Sequence, residues 1–139
     1  MDNSKNFIAD IPANAAEFFT AVTHAATELY ISMHVLDLED KTVYPIKTNE
    51  FIDKFMKCGG TLQESLTNIM VNLACPESVE TIKNFTILST LPERMKNANV
   101  ISEIFHGKIH GWSKAIFVRV GDDTSLRRVL YQRIPASRQ

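Results

Sequence analysis

The spacing of apolar residues switches between helical and strand periods along the chain. Behind Pro12 and Asn14, the residues Phe18, Val22, Ala25, Ala26 and Leu29 recur at helical intervals, and Phe19 widens the stripe. This predicts an amphipathic helix of about four turns. From Tyr30 to Leu38 the period falls to two: Ile31, Met33 and Val35 alternate with Ser32 and His34. That is the pattern of a half-buried strand, with the apolar set expected to face the core. Asp37 to Lys41 is polar enough for a hairpin turn, and Thr42, Val43, Tyr44 and Ile46 favour a second strand. Pro45 cannot donate to a ladder, so that strand either belongs at an edge or ends there.

A helical middle follows. Phe51, Ile52, Phe55 and Met56 share one face behind Asn49-Glu50, and Gly59-Gly60 stops the helix. Thr61, with Glu64 three residues on, has the form of a capping box. Behind it Leu62, Leu66, Ile69, Met70 and Leu73 make a strong stripe. Pro76-Glu77-Ser78 opens a short helix with Val79, Ile82 and Phe85 inward, and Thr90 to Glu93 reads as one more turn.

Alternation then returns over Val100 to His106, Trp112 to Val120 and Leu126 to Ile134. The turns between are Gly107 to Gly111 and Gly121 to Thr124. Short turns make these three strands an antiparallel meander, and the first hairpin must dock beside it to hide an apolar face. The expected fold class is α+β. It has one five-stranded antiparallel sheet, an N-terminal amphipathic helix, and a helical segment between strands 2 and 3.

Composition narrows the function. A chain of 139 residues suits one domain with a real core. Residues 1–12 are expected to form a flexible N-terminal segment, 13–134 the domain, and 135–139 a tail or truncated linker. Basic and acidic residues nearly balance, for a formal net charge of −1, so nothing global draws the chain to nucleic acid or an anionic membrane. Arg127, Arg128, Arg133 and Arg138 read as a solvated edge and tail. Neither a secretory pattern nor a membrane-length apolar run occurs, and a cytoplasmic location without membrane insertion is expected.

The strand segments Tyr30-Ile31-Ser32-Met33-His34-Val35-Leu36-Asp37 and Lys41-Thr42-Val43-Tyr44-Pro45-Ile46 resemble the opening hairpin of PAS domains. The resemblance extends through Thr90-Leu91-Pro92-Glu93-Arg94, Ser102-Glu103-Ile104-Phe105, Gly111-Trp112-Ser113-Lys114-Ala115-Ile116-Phe117 and Arg128-Val129-Leu130-Tyr131. It is strongest to the PAS modules that precede GGDEF-type diguanylate cyclase domains in bacterial signalling proteins, and runs from about Ala15 to Ile134. It implies a glove-shaped, non-catalytic sensory domain with ligands held between sheet and helices. It also implies a first strand between the second and fifth, and an N-terminal helix on which copies dimerise. No GGDEF segment is present, so no cyclase activity carries over.

Candidate chemistry is sparse. His106 and His110 flank a turn, and Cys58 and Cys75 lie far from them in sequence, so no metal site is expected. Haem would want a histidine from the helical middle, and Phe51 to Asn97 holds none. The Asn and Arg that accompany a flavin-reactive cysteine are missing beside both thiols, which speaks against covalent flavin. No P-loop, dinucleotide fingerprint or nucleophile elbow occurs. The candidate ligand pocket is therefore the apolar interior: Met33, Val35, Tyr44, Phe51, Phe55, Met56, Met70, Phe105 and Phe117. The candidate homodimer surface is Phe18, Phe19 and Val22. Two other functions stay open: a ligand-free dimerisation scaffold of the same fold, and a small NTF-like enzyme or carrier. For the latter His34 and Asp37 are the nearest acid–base pair, but an odd offset puts them on opposite strand faces.

Overall fold

The computed structural model describes residues 15–121 and 125–137. Helix α1 spans Ala15–Thr27, followed by strands β1, Ser32–Asp37, and β2, Thr42–Lys47. Helices α2, Glu50–Met56, α3, Leu62–Leu73, α4, Val79–Phe85, and the single turn α5, Leu91–Arg94, come next. Strands β3, Val100–Gly107, β4, Gly111–Arg119, and β5, Arg128–Pro135, complete the chain. The strands form one five-stranded antiparallel sheet in the order β2-β1-β5-β4-β3. The α+β class with this sheet thus stands as expected. No described helix is long and apolar enough to cross a membrane. The expected N-terminal segment 1–12 and residues 138–139 of the expected tail 135–139 lie outside the described residues.

Local chemistry sets the boundaries. Asn49 caps α2 by accepting the Ile52 N–H at 3.0 Å. Thr61 and Glu64 form the full capping box of α3: the Glu64 N–H donates to Thr61 Oγ1 at 3.1 Å, and the Thr61 N–H to Glu64 Oε1 at 2.8 Å. Pro76 begins a 3-10 turn, Pro76–Ser78, that leads into α4. Pro45 sits in edge strand β2, where the register jumps from His34↔Pro45 to Met33↔Lys47 and leaves Ile46 as the extra residue of a bulge. Between β3 and β4, Gly111 turns the chain at φ 72°.

The helices cover one face of the sheet. From below come Leu66, Ile69, Met70 and Leu73 of α3, with Ile82 and Phe85 of α4 and with Leu91 and Met95. From the sheet come Leu36, Phe105, Ala115, Phe117, Val129 and Tyr131. The Phe117 ring lies 5.2 Å from Phe85 and 4.7 Å from Tyr131, centroid to centroid. Gln63 ties α3 to the segment after α4 by donating to the Thr86 carbonyl and accepting the Leu88 N–H. Arg94 donates to the Phe85 carbonyl at 2.7 Å and lies over the Phe85 ring.

Truncating the centre of this core opens a cavity, whereas losing an exposed cap does not. Phe117→Ala is expected to cost about 4 kcal/mol and Thr61→Ala about 1 kcal/mol. Urea unfolding followed by circular dichroism measures both; equal costs would contradict the packing described.

Candidate functional site

The ladder decides which side chains look at the helices. On β5, Val129, Tyr131 and Arg133 share the inner face; opposite them on β1 stand Leu36, His34 and Ser32. Because side chains alternate, Met33 and Val35 lie on the other face of the sheet. This differs from the expected pocket, which took the apolar half of β1 as the inward half. The pairing partner is the reason: β5 places its arginine inside, and Ser32 supplies its acceptor. Met33 is nonetheless 7 % exposed, so the central strand is covered on both faces. Tyr44 pairs with Val35 and is 70 % exposed, away from the interior.

Other expected pocket residues are brought together. Met56 and Met70 line a small, partly open pocket of about 20 Å³ with Ile52, Leu62, Leu66 and Ile69. Phe51 and Phe55 of α2 stack at 5.0 Å and pack half-buried against the core. Phe105 and Phe117 are fully buried further along the sheet and do not line the cavity. The sequence search missed the polar wall: Ser32, His34, Tyr131 and Arg133. The available signal was the mismatch between β1, whose small and polar residues alternate with apolar ones, and an arginine two positions after a core tyrosine.

Arg133 is the centre of this wall. Its side chain lies between Ser32 on β1 and Ala115 on β4, two small neighbours that leave room for a guanidinium. Its Nε donates to Ser32 Oγ at 2.8 Å. Its Nη2 is buried and has no hydrogen-bond partner among the described residues. No described carboxylate lies within ion-pair distance of it. Desolvation lowers its pKa, yet a guanidinium stays charged in proteins. His34 is held neutral to lower pH than usual, first by burial and then by the Arg133 charge, with Asp53 opposing. Burial pushes the Tyr131 phenol well above its ordinary pKa, and its hydroxyl donates to Met70 Sδ at 3.3 Å.

A second, larger opening of about 560 Å³ lies at one end of the sheet. Leu38, Leu62, Leu88 and Leu126 line it beside Gln63 and Arg127. Two of its polar side chains, Arg127 and Gln63, are already engaged. Arg127 meets Asp37 at 3.2 Å, Asp40 at 3.1 Å and Glu39 at 3.8 Å, and Gln63 holds backbone groups. The Asp40 N–H, then Arg127 and the Glu39 N–H, keep the Asp37 carboxyl below its usual range against the effect of burial. Leu62 lines both spaces and stands between them.

The fold also gathers Cys75, Glu77 and His106, whose candidate ligand atoms lie within 4.8 Å of one another. Distance along the chain hid this from the sequence; the Ala74↔Gly107 bridge brings the end of α3 onto β3. His106 is structurally employed: Nδ1 meets Glu77 at 2.8 Å, and its ring stacks on Trp112 at 4.7 Å. Cys58 is exposed. Val22 of the expected dimer surface is 51 % exposed, while the Phe18 and Phe19 side chains lie outside the described residues.

Compared with known proteins, the chain matches no family model, no curated protein and no solved structure.

Two measurements test the site. Ser32→Ala strips the guanidinium of its acceptor and is expected to cost about 2 kcal/mol. Arg133→Met removes the buried charge at similar length and is expected to be at least as stable as the parent; a large loss would show that the charge is already compensated. The second is pH dependence. The His34 pKa is lowered in the folded chain, so the unfolded chain protonates first, near 6.5, and stability falls as pH drops below that value. His110 is shifted the same way, by desolvation and then Arg133. Urea midpoints between pH 7 and 5 should therefore decline, and His34→Gln should flatten the decline.

Proposed function

We propose that the chain is a non-catalytic regulatory domain of the PAS type, which binds a small molecule between its sheet and helices and passes the occupancy on through its terminal elements. The observation that carries this is the small pocket at Arg133: a partly open space with apolar walls, one buried guanidinium and one donor unmet among the described residues. Buried polar groups are ordinarily paired, because an unmet one costs free energy comparable to the hydrogen bond it lacks. A site built this way is completed by something that enters it. The element order and the sheet order support the same class, since β1 lies between β2 and β5 and the helices of the middle segment cover one face.

On this reading the module belongs to a bacterial cytoplasmic signalling protein of the diguanylate cyclase type, and α1 is the element that pairs with a second copy. Val22 on α1 and Leu29 just beyond it, 72 % exposed, supply apolar surface for that pairing. The ligand-free scaffold is weaker, because a filled core has no use for an unpaired guanidinium. The NTF-like enzyme is weaker too: Asp37 is engaged with Arg127 and Arg128 and faces away from His34.

Native mass spectrometry of freshly purified protein, followed by denaturing spectra, tests the proposal. An adduct that disappears on denaturation is the expected result, on a dimer that Val22→Glu converts to monomer. A bare mass whose stability no small molecule alters would return the choice to the scaffold.

A further inference from the structure

The cavity states the chemistry of its ligand. Resting on the regulatory reading above, we infer that the site takes a small organic monocarboxylate: the carboxylate lies on Arg133 Nη2, and the short apolar chain lies against Ile52, Met56 and Met70.

The charge comes first. Arg133 is 3 % exposed, Ser32 engages only its Nε, and Nη2 is unmet. A buried cation is stable only when paired, and no described carboxylate pairs with it. The other polar groups of the wall do not neutralise it. Ser32 and Tyr131 are neutral, the Tyr131 hydroxyl is spent on Met70, and neutral His34 carries no negative charge. Asp53 of α2, which acts on His34 from a distance, accepts the Thr48 hydroxyl at 2.8 Å. Among the described residues the negative charge is missing; on this reading a ligand supplies it, and a planar carboxylate matches the guanidinium fork better than a round ion does.

The shape comes second. A volume of about 20 Å³ is room for roughly one water-sized group, which suits a headgroup and not a whole organic molecule. The pocket is partly open rather than sealed, so the remainder of a short ligand projects out of it past its apolar lining, to which Ile52, Met56, Ile69 and Met70 contribute.

Hexanoate and hexanamide differ in charge and little in shape, so they separate the two ideas. In low-chloride buffer, hexanoate is expected to bind at least about tenfold tighter than hexanamide, since charge-assisted hydrogen bonds are about twice as strong as neutral ones. It should shift the methyl resonances of Met56 and Met70 in wild-type protein. Arg133→Met should reduce hexanoate affinity to that of hexanamide, while Arg133→Lys should keep part of the preference. Equal affinity for the two compounds in wild-type protein, with both methyls shifted, would overturn the carboxylate assignment and leave the ligand-binding reading intact. Binding that leaves Met56 and Met70 unmoved would place the ligand outside the cavity and overturn the inference. If neither compound binds and the native mass is bare, the regulatory reading falls with it.

Discussion

The pairing of β1 with β5 is the constraint on which the rest of the molecule depends. These strands come from opposite ends of the chain, yet run side by side from Ser32↔Arg133 to Asp37↔Arg128. The helical segment between β2 and β3 must therefore be looped onto one face of the sheet before the sheet can close. Closing so long a loop costs entropy that only non-local contacts repay. The seam is fastened at both ends. The Ile31 N–H donates to the Arg133 carbonyl at 2.7 Å, and the Leu38 N–H to the Arg127 carbonyl at 2.7 Å. Arg127 then grips the β1–β2 turn through Asp37, Asp40 and Glu39. Without this seam the hairpin of β1 and β2 would be an isolated two-stranded ribbon, which is marginal in water.

The same seam produces the polar interior. Register alone sends Ser32, His34, Tyr131 and Arg133 to the helix side, and Met33, Val35 and Leu130 to the other. A one-residue slip would reverse both sets and give a more apolar core. The native register therefore accepts a costly arrangement at its centre, and places where local preference conflicts with global packing are commonly functional. Satisfaction, rather than size, separates the two openings. In the large cleft Arg127 is neutralised by Asp37, Asp40 and Glu39, whereas the small cavity has a cation that the described residues leave short of one partner.

Much of the fold was legible because it rests on local signals. The capping box at Thr61 and Glu64, the glycines around the β3–β4 turn, and the edge position imposed by Pro45 each follow from short-range chemistry. The α3 stripe of Leu62, Leu66, Ile69, Met70 and Leu73 is buried throughout. The inward face of β1 was not legible, because apolar residues alone suggest which half of a strand is buried, and here both halves are covered. Arg133 looked like part of a basic solvated tail. Only its opposition to Ser32 and Ala115 marks it as interior, and the pairing with Ser32 spans about a hundred residues that no local pattern encodes. The Cys75–His106 proximity was hidden for the same reason.

On the proposed regulatory reading, the position of Arg133 would link occupancy to output. Its side chain faces the cavity, its backbone carbonyl holds Ile31, and Ile31 is the residue that joins the α1 segment to β1. Its own strand runs on to the last described residues. A carboxylate on Nη2, as proposed, would act on a residue that touches the pocket, the central strand pair and the start of β1 together. Two states are needed for a switch, and a ligand shifts them only by its differential affinity. Here the difference is the cost of a buried unpaired charge in one state and its relief in the other. That cost is concentrated at the seam between the terminal strands, where a small shift reaches α1 through a single hydrogen bond rather than through the packed core, which resists small displacements.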